Sequence, residues 1–195
     1  MKPEQPAYEL GVIHGRFQVL HLDHLRYLLA GKRLCRHLVV GITNPDPDQS
    51  ALDESDPQRS APSNNPLTYF ERYQLVRSAL KECGEALETF SIVPFPVNFP
   101  ERYRHYVPMH AVFLLSIYDD WGRKKRGMFE ALGLKTWVLW EKSLKEKGIS
   151  GAEVRARMMD SDAWEHLVPK GVAELLKKWE VGERIKKLNM SGKDR

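Results

Sequence analysis

Ile13-His14-Gly15-Arg16-Phe17-Gln18-Val19-Leu20-His21-Leu22-Asp23-His24 is the stretch on which the fold turns. The apolar run 8–13 has the character of a strand, and the helical periodicity of 22–34 begins before the stretch ends. A strand that feeds a helix through a short loop leaves unpaired backbone N–H groups above the sheet edge, where an anion can bind. Gly15 ends the strand and Arg16 adds a fixed cation. His21 and His24, three residues apart, share one helical face, so both imidazoles can reach one bound group. Each can donate to phosphate oxygens, yet is a weaker cation than Lys near neutrality. Alone, the pair would equally suit a zinc site or two surface histidines. Beside Gly15-Arg16-Phe17-Gln18 it reads as a phosphate site fitted for chemistry.

Outward from this stretch, apolar runs alternate with helical patterns. Strands are predicted near 8–13, 37–43, 89–94, 111–116 and 135–140, and helices near 22–34, 68–83, 121–132, 151–159 and 170–180. Leu38-Val39-Val40-Gly41-Ile42 and Ala111-Val112-Phe113-Leu114-Leu115 are almost continuously hydrophobic, as parallel strands covered on both faces are. The alternation predicts an α/β fold with a doubly wound parallel sheet, in a single domain over 1–195, and ligands in the crevice at the strand C-termini. Residues 45–66 carry Pro45, Pro47, Pro57, Pro62 and Pro66 and cannot form a regular element. A loop of that length is either functional, as a lid, or disordered. The end, about 189–195, reads as a basic solvated tail.

Composition narrows the partners. The formal net charge of +4 favours anionic ligands, nucleotides or nucleic acid. A nucleic-acid module would show a basic stripe with interleaved aromatics, whereas the basic residues near the C-terminus are spread around a helix, so no nucleic acid is expected. No run approaches a membrane span and no signal-peptide pattern opens the chain, so no membrane partner and a cytoplasmic location are expected. Cys35 and Cys83 fall late in predicted helices and read as buried thiols in a reducing compartment. Trp137 and Trp140, in the last strand, read as core.

A second element lies far down the chain. In Ile149-Ser150-Gly151-Ala152-Glu153-Val154-Arg155, Ser150 is a good N-cap and Glu153 completes a capping box. Gly151 permits close backbone approach, and Arg155 follows about one turn in. This is either an ordinary capped helix or a second helix N-terminus closing on the same phosphates.

The two elements together resemble the nucleotidyltransferase superfamily marked by H-x-G-H and I-S-G-T-x-x-R motifs. Within it, the chain is similar to the archaeal-type nicotinamide-nucleotide adenylyltransferases. Asn65-Pro66-Leu67-Thr68, Glu71-Arg72 and Trp164-Glu165-His166-Leu167-Val168-Pro169-Lys170 match further landmarks of that group in order. Three positions depart from it: Asp23 stands for glycine, Val19 for a common proline, and Ser116-Ile117-Tyr118-Asp119 for a Ser-Gly-Asn-like turn. The resemblance implies a Rossmann-like fold and transfer of AMP from ATP to nicotinamide or nicotinic acid mononucleotide, with release of pyrophosphate. It implies ATP contacts from His14, Gly15, Arg16, His21, His24, Ser150, Gly151 and Arg155, with His21, His24 and Arg16 as the catalytic set. Arg16 would also hold the acceptor phosphate. Tyr103 aligns with a Trp that stacks on nicotinamide, with Phe17 as the opposite wall and Trp121 as a rival platform; alternatively Tyr103 and Tyr106 cap the core. Magnesium would travel with ATP without protein ligands of its own, and homo-oligomers are common in the group. Because the 116–119 turn is altered, a CTP-using enzyme or another phosphorylated acceptor is the alternative, and a non-catalytic nucleotide sensor a further one.

Overall fold

A computed structural model describes residues 6–46 and 62–191. β1 (Tyr8–Gly15), β2 (Cys35–Thr43), β3 (Phe90–Phe95), β4 (Val112–Ile117) and β5 (Lys135–Glu141) pair in parallel in the order β3-β2-β1-β4-β5. The winding reverses between β1 and β4. Such a switch point opens a crevice at the C-terminal ends of the strands. Among the described residues six α-helices flank the sheet: α1 (Leu22–Leu34), α2 (Tyr69–Glu82), α3 (Asp120–Ala131), α4 (Gly151–Asp160), α5 (Lys170–Lys178) and α6 (Val181–Ser191). This is the single-domain α/β architecture that the alternating pattern implied.

Strand alternation splits the core into two layers. Ile13, Leu38, Val40, Ile42 and Leu114 pack with α1, α2 and α5 on one face. Val12, Val39, Phe113 and Leu115 pack with Phe95, Tyr103 and Phe129 on the other. Each such aliphatic side chain, once buried, contributes about 1.5–3 kcal/mol. Thr68 caps α2 in a full capping box with Glu71, whose carboxylate also takes Arg184 from α6 at 2.8 Å. That bond seats the last helix on the first turn of α2.

Several sequence expectations are corrected here. The basic end is not a tail from 189: α6 runs to Ser191 and buries Val181 and Ile185 completely or nearly so. Cys35 is buried but opens a strand, and Cys83 is exposed at the end of α2, because the helix turns it outward. Trp137 is 46% exposed, since β5 is an edge strand, and it leans edge-on against Tyr8. Of the 45–66 loop, residues 47–61, which would decide between lid and disorder, lie outside the described residues. Among the described residues no helix is long and apolar enough to cross a membrane.

Candidate active site

β1 delivers the site. Its last residue, Gly15, is followed by a loop whose backbone is fixed from below. The Gln18 amide donates to the Leu67 carbonyl at 2.8 Å and accepts from the Leu67 N–H at 2.9 Å. Arg72, 2% exposed, gathers four carbonyls: those of Arg16 at 3.1 Å, Thr43 at 2.7 Å, Asn44 at 2.8 Å and Thr68 at 3.3 Å. One buried guanidinium thus ties the ends of β1 and β2 to the start of α2. Burial, reinforced by Arg16, brings its pKa down to about 10, so it stays charged at neutral pH.

A cleft with two lobes lies over this frame. The first lobe, about 350 Å³, runs from His21 and His24 to Ser150, Gly151 and Arg155, with Tyr118, Trp140 and Lys147 along its far side. Here α4 approaches the loop closely: a Cβ at Gly151 would stand 2.7 Å from the Gln18 carbonyl oxygen, so no side chain fits. Ser150 caps α4 by accepting from Glu153 N at 3.1 Å. The reciprocal half of the expected box is not made, because Glu153 pairs with Arg157 at 3.3 Å. The Ser150 hydroxyl proton therefore remains to donate toward the cleft. Arg155 donates to the Gln18 carbonyl and, at 2.9 Å, to Asn64. Part of its fork is engaged in holding loop and helix together.

The two histidines are stacked, ring centroids 3.7 Å apart, with Phe17 edge-on to His24 at 5.1 Å. His21 caps α1, and its Nδ1 accepts the His24 N–H at 3.4 Å. A neutral His21 that accepts at Nδ1 carries its proton on Nε2, a donor. Burial pushes the His21 pKa down to about 4, Asp23 opposing and Lys147 assisting. Burial first, then His21 and Lys147, holds His24 well below its ordinary value. Both rings are neutral at pH 7, each carrying one N–H, and that of His24 has the Val19 backbone within reach as well. Stability follows with a definite sign. The folded values lie below the ordinary 6.5, so the unfolded chain binds more protons in between. The contribution is complete above about pH 6.5 and is lost as pH falls toward about 4, at about 1.4 kcal/mol per pH unit for each such ring. Thermal unfolding is expected to show Tm falling from pH 6.5 to pH 5 and a shallower fall in His21→Asn; a flat Tm over that interval would contradict the burial account.

The second lobe, about 260 Å³, is lined by Thr43 and Asn44 after β2, Val97 and Asn98 after β3, and Asp119, Trp121 and Gly122 at the start of α3. Asp119 caps α3 through Gly122 N at 2.8 Å. His14, Gly15, Arg16, Ser116, Tyr118, Lys125 and Lys147 border both lobes, so the lobes meet over the end of β1.

Most of the sequence-predicted residues converge here; Tyr103 does not, and Phe17 borders the first lobe with its ring buried. Tyr103 is fully buried: the 3-10 turn Pro100–His105 tucks it beneath Phe95, and its hydroxyl donates to the Val97 carbonyl. It cannot stack on a ligand, and the core alternative holds for it. The Phe17 ring is likewise wholly buried, packed under Gly15 and against His24, and offers no open wall. Trp121 does line the second lobe. Trp140, expected in the core, packs against it and also borders the first lobe, donating to the Tyr118 hydroxyl at 2.7 Å. Asp23 turns its carboxylate to Arg26 at 2.7 Å and rests against Gly148, where a side chain would collide with it. Lys125, Lys147, Asn44, Asn98 and the Arg72 clamp were not singled out from sequence. The strand-end rule points to Asn44 and Asn98, which directly follow β2 and lie just beyond β3; the lysines sat unmarked in basic runs.

A crevice at the switch point of a parallel sheet, with paired neutral imidazoles and a helix N-terminus facing it, suits a phosphate-bearing ligand. The chain matches the cytidylyltransferase-like family over residues 12–157 and belongs to it; it is a nucleotidyltransferase. It is 51% identical over 186 residues to a phosphonoformate cytidylyltransferase of Streptomyces viridochromogenes, covering 95% of this chain and all of that one. It is 30% identical to a nicotinamide-nucleotide adenylyltransferase of Thermococcus sibiricus, over 91% of this chain and 88% of that one. Among solved structures, a bifunctional NMN adenylyltransferase/ADP ribose pyrophosphatase of Francisella tularensis shares the fold with a TM-score of 0.64 at 15% identity. That match covers 94% of this chain and 53% of the other, so this chain spans about half its length.

These findings correct one expectation. Adenylyl transfer to a pyridine mononucleotide, and with it NAD synthesis, is overturned by the contrast between 51% identity to a cytidylyltransferase and 30% to the adenylyltransferase of Thermococcus sibiricus. The CTP-using alternative fits instead. The motifs on β1, α1 and α4 were read for phosphates, which both nucleotides share, so they could not distinguish the base.

Proposed function

We propose that this protein transfers CMP from CTP to an oxygen of a small phosphonate that carries a second acid group, phosphonoformate being the reference acceptor. The observation that carries this reading is the 51% identity to a phosphonoformate cytidylyltransferase across its full length. In the reaction, a phosphonate oxygen attacks the α-phosphorus of CTP, a P–O–P bond forms, and the bond to the β-phosphoryl oxygen breaks to release pyrophosphate. Such transfers depend on positioning and charge stabilisation rather than on covalent help.

The site suits that demand. The triphosphate lies in the first lobe, with its β- and γ-phosphates toward the N-terminus of α4, Ser150 and Arg155, and the cytosine end toward Tyr118 and Trp140. His21 and His24 donate to the α-phosphoryl oxygens, where charge builds in transit. The acceptor occupies the second lobe, where Arg16 and Lys125 supply positive charge and Asn44 and Asn98 supply neutral donors. With Tyr103 withdrawn into the core, the lobe sets its cations and amides beside the rings of Trp121 and Tyr118. Among the described residues no three of His, Cys, Asp and Glu converge into a metal cage. Magnesium therefore enters, in this reading, as part of the CTP substrate, bound to its phosphates.

The test is pyrophosphate release with phosphonoformate and each of CTP, ATP, GTP and UTP. CTP is expected to exceed the others in kcat/KM by at least about 10²-fold, the scale on which a site that hydrogen-bonds a base edge rejects one lacking the match. Equal rates with ATP would remove the cytidylyl assignment.

A further inference from the structure

The end of β1 places a polar side chain where its face calls for an apolar one. Leu10 and Val12 point into the second core layer, and His14, two residues on, points the same way. Its ring lies 5.3 Å from that of Phe95 and edge-on to Phe129 at 5.6 Å, and the residue is only 6% exposed. Both ring nitrogens are enclosed and neither has a hydrogen-bond partner. A buried polar group left unpaired is costly, and native structures satisfy nearly all of them. His14 also borders the cleft, on the floor where its two lobes meet. A ligand that enters the cleft can supply the missing partner.

We infer that His14 is a specificity-determining residue that donates an imidazole N–H to the second acid group of the acceptor, a carboxylate carried on the phosphonate. This rests on the proposed reaction and adds to it the residue that reads the acceptor. Position assigns the group. His21, His24, Ser150 and Arg155 lie in the first lobe only, so the attacking phosphonate must turn that way. The end of the acceptor left over the aromatic floor of the second lobe is the remote one. Burial, with Lys125 assisting, holds His14 well below its ordinary pKa. The ring is thus neutral, and it supplies a directed donor while Arg16 and Lys125 supply the charge. A hydrogen bond to a charged group made over an apolar floor is strong, and its loss is felt in acceptor binding.

The experiment uses the full chain with CTP and compares phosphonoformate with methylphosphonate, which lacks the carboxylate, in wild type, His14→Leu and His14→Gln. His14→Leu is expected to raise the phosphonoformate KM about 10- to 100-fold. It should leave unchanged the KM of methylphosphonate, or its Ki against phosphonoformate where it is not turned over. His14→Gln, which keeps a donor, should recover most of the loss. Equal effects on both acceptors, or an unchanged phosphonoformate KM in His14→Leu, would overturn the inference and leave the proposed reaction standing. A wild type inert with CTP and phosphonoformate would overturn both. If His14→Leu does not fold, the histidine ring ¹⁵N signals of the wild type decide: phosphonoformate should move the signal that His14→Gln removes, and an unmoved signal counts against the assignment.

Discussion

Replacing His24 by Ala is expected to lower kcat for CMP transfer by about 10²–10³-fold, as losing one preorganised donor to a developing oxyanion does. The affinity for CTP should change far less. The structural reason lies in how His24 is held. Its ring is sandwiched by His21 at 3.7 Å and braced by the edge of Phe17, and its Nδ1 is enclosed with no protein partner. A neutral imidazole so fixed needs no reorganisation as charge accumulates on the α-phosphoryl oxygens. A contact made mainly in the transition state lowers kcat and kcat/KM together. Steady-state kinetics over a CTP series checks this: a normal kcat with only a raised KM for CTP would make His24 a ground-state ligand and remove its proposed role.

The second large effect concerns stability. Arg72→Met keeps length and apolar stem but strips the donors that hold four carbonyls at the ends of β1, β2 and the start of α2. Unsatisfied buried acceptors cost about 1–3 kcal/mol each, moderated by entering water. A total of about 3–5 kcal/mol is expected, which for a chain of this size lowers Tm by roughly 6–20 °C. Because the same carbonyls set the Arg16 loop and Asn44, surviving folded protein should also bind acceptor poorly. Thermal unfolding beside acceptor titration measures both. A Tm within a degree or two of wild type would show that water satisfies these carbonyls unaided, and that Arg72 is not the clamp described.

The pattern of what sequence disclosed has a physical explanation. The sheet was legible because Leu38–Ile42 and Ala111–Leu115 are hydrophobic on both faces, which few contexts other than a covered parallel sheet require. The residues read as phosphate-binding stood out because they are local: Gly15, Arg16, His21 and His24 belong to one strand–loop–helix unit, and Ser150 with Gly151 to one helix start. The second lobe was not legible, because it is assembled from Asn44, Asn98 and Trp121, which follow three different strands and meet only in the folded chain. Tyr103 misled because its place in the chain aligns with a stacking Trp of the resembled group, whereas here a 3-10 turn carries it into the core. The last helix was hidden by lysines, although Val181 and Ile185, four apart, carry its buried stripe.

In the proposed reaction a new P–O–P linkage forms between CMP and a phosphonate. Phosphorus NMR of the protein incubated with CTP, magnesium and phosphonoformate observes that linkage directly. Two mutually coupled doublets, one from the phosphonate and one from the CMP phosphorus, should grow in step with the pyrophosphate singlet. Pyrophosphate accumulating beside free CMP, with the phosphonoformate singlet unchanged, would mean that water is the acceptor and would contradict the claim.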